Sequence, residues 1–216
     1  MRNDLTDITI ILDRSGSMSI IAADTIRGLN TFLDKQRTQP GDLLLTLVQF
    51  DDINPYEVVY NGVNVKNVPN LEASSFIPRG STPLLDAVGR GIIGTGSRLR
   101  NIKEEDRPGL VVFVIVTDGQ ENASKEFTKA KIAEMIKEQT DKYSWSFIFI
   151  GANQDAITTA KDLNIDVRNS INYSATAKGT QSIYASLGAN LCSARVAGPS
   201  GQSLMNWSDE DRAAQN

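Results

Sequence analysis

Asp13-Arg14-Ser15-Gly16-Ser17 sets one carboxylate and two hydroxyls at alternate positions of a short segment. Gly80-Ser81-Thr82-Pro83 offers a third hydroxyl, and Thr117-Asp118-Gly119 a second carboxylate. Donors of these types suit a small hard cation. Mg2+ asks for six oxygens in octahedral array and is usually held by one or two carboxylates together with waters. Neutral hydroxyls leave much of the ion's charge uncompensated. An ion with one direct carboxylate then favours an anionic ligand from outside, such as a carboxylate of a partner protein.

The composition narrows the chemistry further. The 216 residues include no histidine and one cysteine. That excludes Ser-His-Asp and Cys-His machinery, imidazole acid–base catalysis, and zinc held by histidines or by four cysteines. An all-oxygen set also favours Mg2+ or Mn2+ over Zn2+. The net charge of -4 gives no electrostatic reason to expect nucleic acid. Cys192 has no partner for an internal disulfide, which fits a reducing, cytoplasmic setting. The polar start at Met1-Arg2-Asn3-Asp4 does not read as a secretion signal. The apolar runs 8–12 and 110–116 fall short of the roughly 20 residues of a membrane span.

Positioning these side chains requires an alternation of strands and helices. Residues 5–12, 43–50, 56–65, 109–117, 144–150 and 165–171 read as strands. Residues 20–37, 125–140, 154–163 and 175–193 read as helices, with a further helix opened by Thr82-Pro83. Glycines at 89, 91, 94 and 96 weaken that helix, and imply either close packing on a sheet or a break near Gly94. Continuous apolar strands belong to a parallel sheet covered on both faces. The turn cluster 51–55 is too short for a parallel crossover, so 56–65 should run antiparallel to 43–50. The expected fold is α/β: a doubly wound, Rossmann-like, mostly parallel six-stranded sheet with one antiparallel edge strand and helices on both faces. Residues 1–196 read as one domain, and the Gly-, Ser- and acid-rich 197–216 as a flexible tail. Such sheets bind ligands beyond the carboxyl ends of their strands, where strand order switches. If 5–12 and 109–117 are neighbours, Asp13, Ser15, Ser17 and Asp118 converge there, with Thr82 in reach from an intervening loop.

The three motifs, in this order, resemble the metal-ion-dependent adhesion site of von Willebrand factor type A (VWA) domains. The resemblance covers roughly residues 4–195 and implies that Asp13, Ser15, Ser17, Thr82 and Asp118 hold the metal. Segments 118–124 and 151–155 look most like stand-alone bacterial and phage VWA proteins, including the tellurite-resistance type. The function implied is a metal-dependent protein-interaction module rather than an enzyme. A partner Asp or Glu would complete the coordination of Mg2+ or Mn2+.

Plainer readings compete at several positions. Thr82 can be a helix N-cap, and Ser15 and Ser17 turn residues around Gly16. Glu121 and Asn122 read as helix caps, and Asp51 and Asp52 as a solvated turn or a binding rim. Metal-dependent phosphoryl transfer or hydrolysis is the alternative function. It needs a phosphate clamp, for which only Arg14 and Arg79 lie near the motifs. A structural subunit stiffened by its metal is the third. The sequence leaves the partner and the oligomeric state open.

Overall fold

The structure is a computed structural model and describes residues 1–152 and 156–215. Six strands form one sheet: β1 (Arg2–Asp13), β2 (Asp42–Phe50), β3 (Glu57–Asn64), β4 (Pro108–Thr117), β5 (Ser146–Ala152) and β6 (Ser170–Tyr173). Their order is β3-β2-β1-β4-β5-β6, with only the β2–β3 pair antiparallel. The doubly wound sheet with an antiparallel edge strand is as the sequence predicts. The order reverses between β1 and β4, so the carboxyl ends of these two strands form the switch point.

Side chains alternate across β1. Ile8, Ile10 and Leu12 belong to the core under α1 (Ala22–Arg37) and α5 (Ala177–Ala197). Ile11 belongs to the opposite core, under α2 (Leu84–Arg100), α3 (Lys129–Tyr143) and α4 (Ala156–Asp162). Both faces are covered, which is why the strand reads as a continuous apolar run. Two polar links join β1 to α2 inside that second layer. Asp7 takes a double hydrogen bond from Arg98 at 2.6 and 2.8 Å, and the Thr9 and Thr95 hydroxyls lie 2.8 Å apart.

Helix α2 runs unbroken through Gly94. Its glycines allow close approach: a Cβ on Gly91 would sit 2.7 Å from Ile11 Cδ1 and 2.9 Å from Phe113 Cζ. Several boundaries differ from the sequence expectation, and two have a clear local cause. Helix α3 begins at Lys129, because the Asp86 carboxylate accepts the backbone N–H groups of Lys125, Glu126 and Phe127 and holds them out of a helix. The last strand begins at Ser170 rather than 165. A 3-10 turn over Val167–Asn169 intervenes, anchored by the Asp166 side chain on the Arg168 N–H.

Residues 198–215 do not leave the domain as a free tail. A 3-10 segment (Gly198–Met205) and a short α6 (Asp209–Ala213) return along α5 and β6. Met205 and Trp207 are buried in the core under α5, and the Trp207 backbone N–H donates to the Arg168 carbonyl. Arg212 donates to the Ser170 carbonyl, and Ser174 Oγ to the Gln215 carbonyl. The polar composition hid two large apolar anchors.

Candidate metal centre

Asp13 ends β1 and Thr117 ends β4, and the two strands are paired. Register therefore brings the loops that follow them together. Thr117 Oγ1 donates to Asp13 Oδ2 at 2.6 Å, and Ser15 N–H to Asp13 Oδ1 at 2.7 Å. Ser17 Oγ donates to Asp118 Oδ1 at 2.6 Å. The Ser15 and Ser17 hydroxyls are 3.1 Å apart. Ser17's only hydroxyl proton goes to Asp118, so Ser15 is the donor between them. Four of the five predicted residues thus form one connected cluster.

Thr82 reaches the same place from the loop before α2. A Cβ built on Gly119 would lie 3.1 Å from Thr82 Oγ1, 3.5 Å from Ser17 Oγ and 3.8 Å from Asp13 Oδ2. Three oxygens from separate segments therefore face one point, and only a glycine at 119 leaves that point open. The N-cap reading of Thr82 fails. Helix α2 starts at Leu84, its N-cap is Pro83, and no side chain of the cap residue bonds the first turn. Glu121 serves the helix instead, accepting the Leu85 N–H at 2.9 Å. Asn122 fixes Thr82 from both sides: its Oδ1 accepts the Thr82 N–H, and its N–H donates to the Thr82 carbonyl. Ser15 likewise makes no side-chain cap to the 3-10 turn (Gly16–Ile21) that follows it. The hydroxyls of Ser15, Ser17 and Thr82 are directed to the cluster and not to the backbone.

The electrostatics of the cluster would be relieved by a cation. Asp13 is fully buried, and that burial pushes its carboxyl up to about 6 despite bonds from Thr117 and Ser15. Asp118, also raised by burial, adds like-charge repulsion. No arginine or lysine is among the groups that shift either acid. Among the described residues, no three His, Cys, Asp or Glu side chains group to hold a metal. A metal here would rely on hydroxyl as well as carboxylate oxygens, and the residues present fit a hard cation.

Arg14, in the variable position of Asp-x-Ser-x-Ser, turns away from the cluster. Register places Asp13 beside Phe50, so Arg14 neighbours Asp51 at the end of β2. Arg14 is buried, with its Nη2 2.7 Å from Asp51 Oδ2, and it also donates to Gln49 and Glu57. Arg79 Nε donates to the same Asp51 oxygen at 3.1 Å. Asp51 is consequently neither a solvated turn nor a rim residue. Burial opposes its charge, but the Asn54 N–H, Arg14 and Arg79 together hold it below the usual carboxylate range. A cation placed between a strand end and a turn acid was the available signal. Asp52 is exposed, and its carboxylate fills the space that a Cβ on Gly80 would take, at a residue whose φ is +65°.

No family model matches the sequence, and no curated protein is significantly similar to it. Solved structures do share the fold. A von Willebrand factor type A protein from Catenulispora acidiphila superposes with a TM-score of 0.60 at 14% identity, over 87% of this chain and 42% of that one. The chain has the von Willebrand factor type A fold. Mussel byssus proximal thread matrix protein 1, described with a zinc-occupied metal-ion-dependent adhesion site, gives a TM-score of 0.60 at 14% identity over 84% of this chain and 46% of that one. Manganese-loaded Plasmodium vivax TRAP protein gives 0.55 at 14% identity over 81% and 70%. The chain spans less than half the length of the mussel and Catenulispora chains. Of the segment 151–155 that resembles stand-alone VWA proteins, residues 153–155 lie outside the described residues.

Proposed function

We propose that this VWA domain is a metal-dependent protein-interaction module, with Asp13, Ser15, Ser17, Thr82 and Asp118 holding Mg2+ or Mn2+. The observation that carries the reading is the convergence of Thr82, Ser17 and Asp13 oxygens on the opening left by Gly119. Bound there, the ion would neutralise the Asp13–Asp118 repulsion and supply a Lewis-acidic position for an external carboxylate. A partner Asp or Glu provides that ligand. The preference for Mg2+ or Mn2+ rests on the all-oxygen donors alone, since the mussel protein is described with zinc in its metal-ion-dependent adhesion site.

A binding role fits better than phosphoryl transfer. Of the two candidates for a phosphate clamp, Arg14 is buried and committed to Asp51, Gln49 and Glu57, and Arg79 is paired with the same Asp51. No imidazole exists to act as base. The lone Cys192 suits a reducing, cytoplasmic setting. Among the described residues no helix is long and apolar enough to cross a membrane.

Affinity capture with wild type and Asp13→Ala, each with Mg2+ and with EDTA, tests the proposal. A partner retained only by wild type with Mg2+ is expected. A partner held equally by Asp13→Ala in EDTA contradicts it, and Mn2+-dependent phosphoester turnover lost in Asp13→Ala would favour the enzyme reading.

A further inference from the structure

Asp51 holds together two loops to which it does not belong. It follows β2 and is fully buried. Its Oδ2 accepts Arg14 Nε at 2.8 Å and Arg79 Nε at 3.1 Å. Its Oδ1 accepts the Ile53 and Asn54 N–H groups at 2.9 and 2.8 Å. Arg14 lies between Asp13 and Ser15, and Arg79 stands shortly before Thr82. One carboxylate thus ties the segment carrying Asp13, Ser15 and Ser17 to the loop carrying Thr82. Backbone bonds follow the same seam: Arg79 N–H donates to the Arg14 carbonyl at 2.9 Å, and Gly16 N–H to the Gly80 carbonyl at 3.0 Å.

The seam sets the distance between donors. A serine or threonine oxygen is one rotatable bond from its backbone, and that bond has only a few staggered positions. The spacing of the Ser15, Ser17 and Thr82 oxygens is therefore governed by the backbone spacing of the two loops. Asn122 fixes Thr82 to the loop after β4. Asp51 and its two arginines fix the Thr82 loop to the segment after β1, through charge-assisted bonds that burial strengthens.

We propose that Asp51, acting through Arg14 and Arg79, is a positioning residue for the candidate metal centre, setting the gap between the Asp13–Ser17 segment and Thr82. This role rests on the metal reading above. Mg2+ demands near-ideal octahedral geometry at about 2.1 Å, whereas Ca2+ accepts about six to eight oxygens at roughly 2.3–2.6 Å in a flexible shell. A loosened gap penalises Mg2+ more than Ca2+. A general loss of stability penalises both alike.

Calorimetric titration of Mg2+ and of Ca2+ into wild type, Arg79→Ala and Asp51→Asn tests the proposal. The Arg79 side chain is 42% exposed, and without it Asp51 keeps Arg14 and two backbone donors. Arg79→Ala should therefore fold, and it decides the outcome if Asp51→Asn does not. Mg2+ affinity is expected to fall about tenfold in each folded variant. Ca2+ affinity should stay within about twofold of wild type. Unchanged Mg2+ affinity, equal losses for the two cations, or Ca2+ that binds no form of the protein overturns the positioning role and leaves the metal reading standing. Failure of Mg2+ to bind wild type overturns the metal reading itself, and the positioning role with it.

Discussion

Asp13 carries the conflict on which the candidate centre depends. Its carboxyl is raised to about 6, chiefly by burial, whereas in the unfolded chain it titrates near pH 4. Between those values the folded protein holds a proton that the unfolded chain has lost. Metal-free stability therefore falls as pH rises through this window, and the penalty is complete above about pH 6. Asparagine keeps an acceptor for Ser15 and carries no charge. In chelator at pH 7, Asp13→Asn should be more stable than wild type by about 2 kcal/mol, with the gap closing toward pH 4. Urea unfolding at the two pH values measures this, and an equal or weaker variant at pH 7 would refute the electrostatic account. The sequence discloses all five candidate donors by type and order. It does not disclose Arg14 and Asp51 as a buried pair, because their contact depends on the register of β1 against β2.

At the scale of elements, the loop from Gly119 to Thr128 is built as a clamp on α2. Glu121 accepts Leu85 N–H, Asn122 grips Thr82, and Asp86 answers by accepting three N–H groups of residues 125–127. Burial opposes the charge on Asp86, yet those donors hold its carboxyl below the usual range. Removing it strands three backbone donors. Asp86→Ala should cost about 3 kcal/mol in urea unfolding and weaken Mg2+ binding through the displaced Thr82. A variant of unchanged stability would show that the clamp is dispensable. Helix periodicity alone extends α3 back to 125, since the amphipathic pattern carries no trace of a carboxylate from another helix. Strands β1, β2, β4 and β5, by contrast, are legible as long apolar runs, because burial on both faces leaves them no polar alternation.

At the scale of the whole molecule, two cores flank a sheet whose switch point lies at the candidate centre, and residues 198–215 close the core beneath α5. Trp207 and Met205 are each nearly fully buried. Deleting residues 198–216 should destabilise the domain by about 3 kcal/mol, read by chemical denaturation. A truncated chain of equal stability would restore the flexible-tail reading. Stability supplied by these two cores is what lets the carboxyl ends of β1 and β4 hold two acids together.

At the switch point, five side-chain oxygens from three loops are assigned to one divalent cation. Calorimetric titration of Mg2+ and Mn2+ into metal-free wild type and Asp118→Ala tests that assignment most directly. One ion per chain in wild type, and none in the folded variant, is the predicted result. No binding by wild type, or binding undiminished in Asp118→Ala, would contradict the account.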